Sequence, residues 1–159
     1  MNNFVPARQH TWLLTALACS LALLGCNSEK IQKTEFGIQQ NLFLQSLELV
    51  EKAGSQLQQS PLDQASIDMA LAGMDRGLRQ AFQVDERFLA QLHDSLPEMY
   101  LQRFVKGVEQ YRLGVTAADR EQQLQGLDKL TQWASFWSRE KSAILQKMAR
   151  ITGLPVIES

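Results

Sequence analysis

Cysteine and histidine are scarce in this chain, which has two residues of each type among its 159. Both cysteines, Cys19 and Cys26, lie near the start, and His93 is the one histidine beyond residue 10. Zinc and copper sites need several such side chains at ligand spacing. The sequence also has no Glu-x-x-His pair of the kind that holds di-iron centres in helical bundles. It therefore predicts no metal site and no metal cofactor.

The chain also lacks the motifs that many enzymes and nucleic-acid-binding proteins carry. It has no block of five or six basic residues, which argues against nucleic-acid binding, and no glycine-rich phosphate loop. His93, Asp94 and Ser95 are consecutive, but consecutive helix positions point about 100° apart and would not align as a catalytic triad. We therefore expect no catalytic residue and no enzymatic activity, with His93 an ordinary surface or rim residue.

The first 26 residues have the layout of a secretory signal. Arg8 supplies a positive charge, and residues 11–24 are uncharged and mostly apolar. This segment is shorter than the about 20 residues that a membrane-spanning helix needs. It ends in Leu23-Leu24-Gly25-Cys26 and is followed at once by polar residues.

This ending resembles the signal of bacterial lipoproteins. The resemblance implies cleavage before Cys26 and acyl chains, such as palmitate, on its thiol and amine, of which two or three give a stable membrane anchor. In Gram-negative lipoproteins Asp after the cysteine favours the inner membrane. Here Asn27 implies the periplasmic face of the outer membrane instead. The alternatives are a signal peptide without lipidation or a single-span anchor, with Cys26 incidental.

The signal divides the chain into three expected regions. They are a signal peptide at 1–25, the lipidated Cys26 with a flexible polar tether to residue 34, and a helical domain at 35–159. Once residues 1–25 are removed no free thiol remains, so packing alone must hold the fold. Removal of Arg8 leaves 15 basic against 17 acidic residues, a formal charge of −2.

The mature part shows apolar residues at helical spacing throughout and no alternating pattern typical of strands. Gly73 and Gly77, four residues apart, predict close approach of a neighbouring helix. The expected fold is all-α, an up-down bundle of four long helices with the third split near Pro97. The predicted segments are 35–58, 61–82 capped by Ser60, a short one opened by Asp85, one beyond Pro97 ended by Gly114, and 116–152 ended by Gly153.

Four apolar residues fall away from the predicted apolar stripes of their helices: Trp133, Phe136, Met99 and Leu44. On the last helix the predicted stripe contains Leu127, Leu130, Ala134, Trp137, Ile144, Met148 and Ile151. Phe136 lies instead among polar residues such as Gln132 and Glu140. Scattered exposed apolar residues are normal, and another segment could cover these. The alternative is a docking surface that receives a partner helix.

Two classes of function follow from these patterns. The first is a non-enzymatic, lipid-anchored adaptor that binds a partner protein of an envelope assembly of the secretion or pilus type. Small helical pilotin lipoproteins are similar to it in general architecture. The second is a periplasmic bundle that binds an apolar ligand between its helices or acts as a stress-binding protein. An immunity or exclusion lipoprotein is a third possibility that these patterns do not separate from the first.

Overall fold

A computed structural model describes residues 11–58 and 63–153, with side-chain surroundings given from residue 33 onward. Helix makes up 89% of it, and the described residues form no strand, so the predicted all-α class is confirmed. The chain divides into two compact units, Met1–Glu35 and Phe36–Ser159. The helices are α1 (Thr11–Leu57), α2 (Gln64–Ala81), α3 (Glu86–Leu92), α4 (Leu96–Glu98), a π-helical segment (Met99–Val105), α5 (Lys106–Thr116) and α6 (Arg120–Thr152).

Helix α1 begins earlier than the sequence pattern predicted. Its expected start was residue 35, after a flexible tether at 27–34, but these tether residues are helical within Thr11–Leu57. The physical reason lies in composition, because no proline interrupts residues 11–57 and their polar residues include good helix formers such as Lys and Gln. The predicted end near Gln58 agrees with the observed end at Leu57.

Aspartate side chains cap the starts of three helices. Asp63 accepts a hydrogen bond from the Ser66 amide at the start of α2, and Asp85 accepts one from the Arg87 amide at α3. Asp119 does the same at α6, which begins at Arg120 and so starts later than the predicted residue 116. Ser60 and Pro61 lie outside the described residues.

Helix α4, the π-helical segment and α5 follow one another without a break from Leu96 to Thr116. The chain leaves helical structure at 93–95, and Pro97 stands in the first turn of α4, where its missing N–H is not needed. The predicted end at Gly114 is wrong, because α5 continues to Thr116. Its C-terminal turn places Ala118 in the left-handed region, at φ 53°.

Glycines allow two pairs of helices to pack closely. The close approach predicted at Gly73 and Gly77 is confirmed, since a Cβ at Gly77 would lie 2.6 Å from Val50 Cγ2 on α1. Gly126 of α6 lies against α5, where a Cβ would be 2.5 Å from the Tyr111 backbone nitrogen. Asp75 of α2 and Arg112 of α5 form an ion pair, with Nε 3.1 Å from Oδ1.

The core-facing side of α6 differs from the predicted stripe. Trp133 and Phe136 are buried, with 6% and 4% of their surface exposed, whereas Leu127 is 41% exposed. Ala134, also in the predicted stripe, is exposed. The aromatic rings of the facing π-helical segment account for this rotation, because Trp133 packs at 5.4–5.9 Å, between ring centroids, from Phe104 and Tyr100.

Candidate functional site

A surface groove lies where the turn at 93–95 and the start of the π-helical segment meet one face of α6. Its volume is about 570 Å³, and its lining combines an aromatic and a thioether side chain with polar groups. The lining residues are His93, Ser95, Met99, Thr131, Gln132, Ser135, Phe136, Arg139 and Glu140. A groove of this size can hold a few side chains of a peptide or a small molecule.

His93 is fixed at one end of the groove by three contacts. Its Nδ1 accepts a hydrogen bond from the Ser95 amide at 3.1 Å, so the ring proton of the neutral form resides on Nε2. Nε2 lies 3.8 Å from Glu140 Oε2. The imidazole also meets the Phe136 ring edge to face, with centroids 5.5 Å apart. These contacts hold α3–α4 and α6 together at this point.

His93, Asp94 and Ser95 were expected on a helix, but these three residues are not helical. These residues form the turn between α3 and α4, and the His93 backbone is extended, with φ −162° and ψ 137°. What argues against a catalytic triad here is a hydrogen bond, because the His93 Nδ1 already accepts the N–H of Ser95. A nitrogen held in this way does not act as base toward the neighbouring hydroxyl.

Glu140 joins the histidine to a cation at the rim. Its Oε1 accepts a hydrogen bond from Arg139 Nε at 2.8 Å, while Oε2 faces His93. The Arg139 side chain is 68% exposed, so its remaining N–H groups are open to solvent and to a bound molecule. This end of the groove therefore offers N–H donors next to a carboxylate.

The α6 wall of the groove offers acceptors instead. The Thr131 hydroxyl donates to the Leu127 carbonyl and the Ser135 hydroxyl donates to the Thr131 carbonyl, each at 2.9 Å. Each hydroxyl has a single proton, so both oxygens remain as acceptors along the groove. Donors at one end and acceptors along one wall suit a peptide backbone, which carries both kinds of group.

The structure brings together two of the four apolar residues singled out from the sequence. Phe136 and Met99 line the groove, and Trp133 lies beneath it, 5.8 Å from Phe136 between ring centroids. Leu44 packs against the hydrophobic core and is not among the lining residues. Neither ring is exposed, since Phe136 forms the floor of the groove and Trp133 is a core residue, and their part in partner binding stays a prediction.

Sequence reasoning missed His93, Arg139 and Glu140 as members of a common site. One signal was available, because Gln132, Phe136 and Glu140 follow one another at intervals of four and so share a face of α6. His93 is 43 positions before Phe136, and no local pattern connects them. Only the packing of the 93–95 turn against α6 shows that they meet.

Comparisons with known proteins provide no family assignment. No protein-family model matches the chain, and neither the curated proteins nor the solved structures show a significant similarity to it. Among the residues that the structure describes, no helix is both long enough and apolar enough to cross a bilayer. The same residues include no group of three or more His, Cys, Asp or Glu that could hold a metal ion.

Proposed function

We propose that this protein is a lipid-anchored helical adaptor at the periplasmic face of the outer membrane. It binds an extended segment of a partner protein of an envelope assembly, of the secretion or pilus type, in the groove at His93, Phe136 and Glu140. The proposed architecture is an up-down bundle of four long helices with the third split near Pro97. Cys26 carries the anchor, and the protein has no catalytic role.

The observation that carries the partner-binding proposal is the composition of the groove. Its floor is the Phe136 ring and its side is the flexible Met99 thioether, which adapts to partners of different shape. Around these lie an N–H donor group at Arg139 and hydroxyl acceptors at Thr131 and Ser135. An apolar centre within a polar rim is the usual anatomy of a protein-binding site.

The apolar-ligand alternative has less support from the same residues. Between the helices, rings of Phe43, Tyr100, Trp133 and Trp137 pack against one another at centroid distances of 5.1–5.9 Å. Rings in direct contact leave no room for a lipid-like molecule between them. An immunity or exclusion lipoprotein would use the same groove for another partner, and only the identity of that partner distinguishes it.

Photo-crosslinking in the native cell envelope tests the groove. A photoreactive amino acid replaces Gln132 in the groove or, as a matched control, Gln146 elsewhere on the exposed surface of α6. We expect a discrete protein adduct from position 132 and none from position 146. Ser135→Trp, which fills the groove, should abolish the adduct.

Ser142→Trp is the control for that substitution. Residue 142 is seven positions from Ser135, on the same side of α6 but outside the groove. It should leave the adduct from position 132 unchanged. An adduct from position 132 that persists in the Ser135→Trp variant, or the absence of that adduct when Ser135 is unchanged, would overturn partner binding in the groove.

The anchor is tested separately with Cys26→Ser. The lipoprotein interpretation predicts that this variant accumulates as unprocessed precursor and that no acyl chain is detected on it by mass spectrometry. If processing and membrane fractionation are both unchanged, the anchor proposal fails. Groove binding could still be present in that case, because the two experiments have independent readouts.

A further inference from the structure

The end of the helical body at which the chain enters it exposes two large apolar side chains. Ile38 on α1 is 55% exposed, and Phe82, the residue that follows α2, is 62% exposed. We infer that this Ile38–Phe82 end inserts into the surface of the phospholipid bilayer that carries the anchor. The inference rests on the proposed anchor at Cys26.

Two contacts fix the turn that carries Phe82 beside the first turn of the body. The Asp85 amide donates a hydrogen bond to Gln39 Oε1 on α1 at 2.7 Å. The rings of Phe36 and Phe88 meet edge to face with centroids 4.9 Å apart. Phe82, three residues before Asp85, is therefore held at the same end of the body as Ile38.

The length of chain before Phe36 limits how far this end can be from the bilayer. The ten residues from Cys26 to Phe36 cover about 15 Å as a helix and about 35 Å when fully extended. With acyl chains on Cys26 embedded in the bilayer, this length of chain keeps the Ile38–Phe82 end, where the chain enters the body, within reach of the lipid. Transfer of Phe and Ile side chains from water to the interfacial region of the bilayer lowers the free energy.

Charges at this end are balanced, which sets the kind of lipid contact. Arg79 and Arg87 are exposed near Phe82 in sequence, and so are Asp85 and Glu86, while exposed Lys33 and Glu35 precede Ile38. An equal number of opposite charges provides little attraction to anionic lipid. The contact is therefore apolar, and it should occur on zwitterionic as well as anionic membranes.

Another exposed apolar residue provides an internal control at the far end of α2. Met69 is 56% exposed, about as much as Ile38. It lies 13 residues before Phe82, about 20 Å along the helix. Gly73, one turn beyond it, packs against Ala53 rather than against the residues near Gln39. Met69 should remain in water while Phe82 does not.

The test uses the acylated protein in phosphatidylcholine vesicles, with an environment-sensitive dye on a single introduced cysteine. Gln83→Cys places the dye next to Phe82, and Asp68→Cys places it next to Met69, at exposed positions of α2 and its following turn. Acylated Cys26 offers no thiol to the dye. We expect lipids that carry a nitroxide near the headgroup to quench the dye at residue 83 at least several-fold more than at residue 68.

Phe82→Ser together with Ile38→Ser should bring quenching at residue 83 down to the level at residue 68, while the protein still floats with the vesicles. Equal quenching at residues 83 and 68 in the labelled proteins that retain Phe82 and Ile38 would overturn the inference and leave the anchor intact. A dye that is shielded from water at residue 83 but not quenched by nitroxide lipid would also overturn it, since another segment or copy then covers Phe82. Failure of the protein to float, or dye on Cys26 in the unsubstituted chain, would overturn both proposals.

Discussion

The hydroxyl groups of Tyr100 and Ser46 meet at 2.7 Å in the core, where both residues are fully buried. The two residues are 54 positions apart, so this bond joins the π-helical segment to α1. The Ser46 hydroxyl also contacts the Phe43 carbonyl at 2.6 Å, to which it donates its single proton. Tyr100 is therefore the donor toward Ser46, and both hydroxyl groups have partners.

Substitution of Tyr100 and substitution of Ser46 should lower the free energy of unfolding by different amounts. Tyr100→Phe removes the donor but leaves the Ser46 proton on the Phe43 carbonyl, so we expect a loss of about 1 kcal/mol in the free energy of unfolding. Ser46→Ala leaves the buried Tyr100 hydroxyl without an acceptor and should cost about 1–3 kcal/mol. Urea denaturation followed by circular dichroism measures both.

The double variant separates the hydrogen bond from the loss of packing. With both hydroxyl groups removed no buried polar group is left without its partner, so the double variant should lose less stability than the two single variants added together. Simple additivity would show that the 2.7 Å contact contributes nothing specific to the connection between α1 and the π-helical segment.

The same tyrosine predicts a loss of stability at alkaline pH. Burial raises the pKa of Tyr100 well above its ordinary 10.0, and the Ser46 hydroxyl, which can turn to donate to a phenolate, opposes this in part. Below about pH 10 the tyrosine is protonated in both states and its contribution is complete. Above about pH 10 the unfolded chain releases the proton while the folded chain retains it, so stability falls by up to about 1.4 kcal/mol per pH unit.

Comparison of variants isolates this contribution from other groups that titrate at high pH. Between about pH 9 and pH 11 the unsubstituted protein should lose about 1 kcal/mol more stability than Tyr100→Phe. Parallel curves for the protein and for Tyr100→Phe would show that Tyr100 is not held protonated by the fold.

Two glycine substitutions should change stability in opposite directions. A Cβ on Gly126 would lie 2.5 Å from the Tyr111 backbone nitrogen and 2.8 Å from the Gly107 carbonyl oxygen, and backbone atoms cannot rotate away. Gly126→Ala should therefore cost about 1–3 kcal/mol. Gly54 lies within α1 with nothing within 4 Å of its Cβ position, so Gly54→Ala should stabilise by about 0.5–1 kcal/mol. Thermal unfolding of both variants checks the pair.

The turn between α5 and α6 should accept a stabilising glycine. The Asp119 amide donates to the Gly114 carbonyl at 2.8 Å and the Ala118 amide donates to the Val115 carbonyl at 3.2 Å, which together place Ala118 in the left-handed region. A Cβ is unfavourable there, so Ala118→Gly should raise the free energy of unfolding by about 1 kcal/mol. No gain in melting temperature would contradict this backbone geometry.

The parts of the fold that depend on neighbouring residues could be predicted from the sequence. Asp85 and Gly153 were assigned correctly as helix ends, because a cap needs only a short side chain or a left-handed residue at the right place. The close packing at Gly73 and Gly77 also followed from a local pattern, the interval of four. Gly114 was misassigned because it allows close packing against α6 and does not end a helix. A Cβ at this position would lie 2.6 Å from the backbone nitrogen of Gln123.

The rest depends on contacts between distant residues. The π-helical segment has no signature in residues 99–105, and the rings of Tyr100 and Phe104 that it stacks at 5.3 Å then determine which side of α6 is buried. The groove depends on this rotation, because it brings Phe136 to His93 rather than to solvent. Helix α6 has apolar residues around much of its circumference, so the neighbouring elements determine which of its faces is buried.

A pair of phenylalanines provides the last prediction. Phe136 is 4% exposed and contacts Trp133 and His93, whereas Phe82 is 62% exposed. Phe136→Ala should therefore cost about 3–5 kcal/mol through lost burial and a cavity. Phe82→Ala should change the free energy of unfolding by no more than about 0.5 kcal/mol. Urea denaturation of the two variants gives the comparison.

The contrast also determines how each residue can be used to study binding. Loss of a partner in a Phe136→Ala variant would not distinguish a damaged groove from a partly unfolded protein, so the groove is better tested by a bulky residue at exposed Ser135. Phe82 has no such difficulty, because we expect its removal to leave the fold unchanged. A Phe136→Ala variant as stable as Phe82→Ala would mean that α6 turns its other face to the core, and with it the groove at His93 would lose its floor.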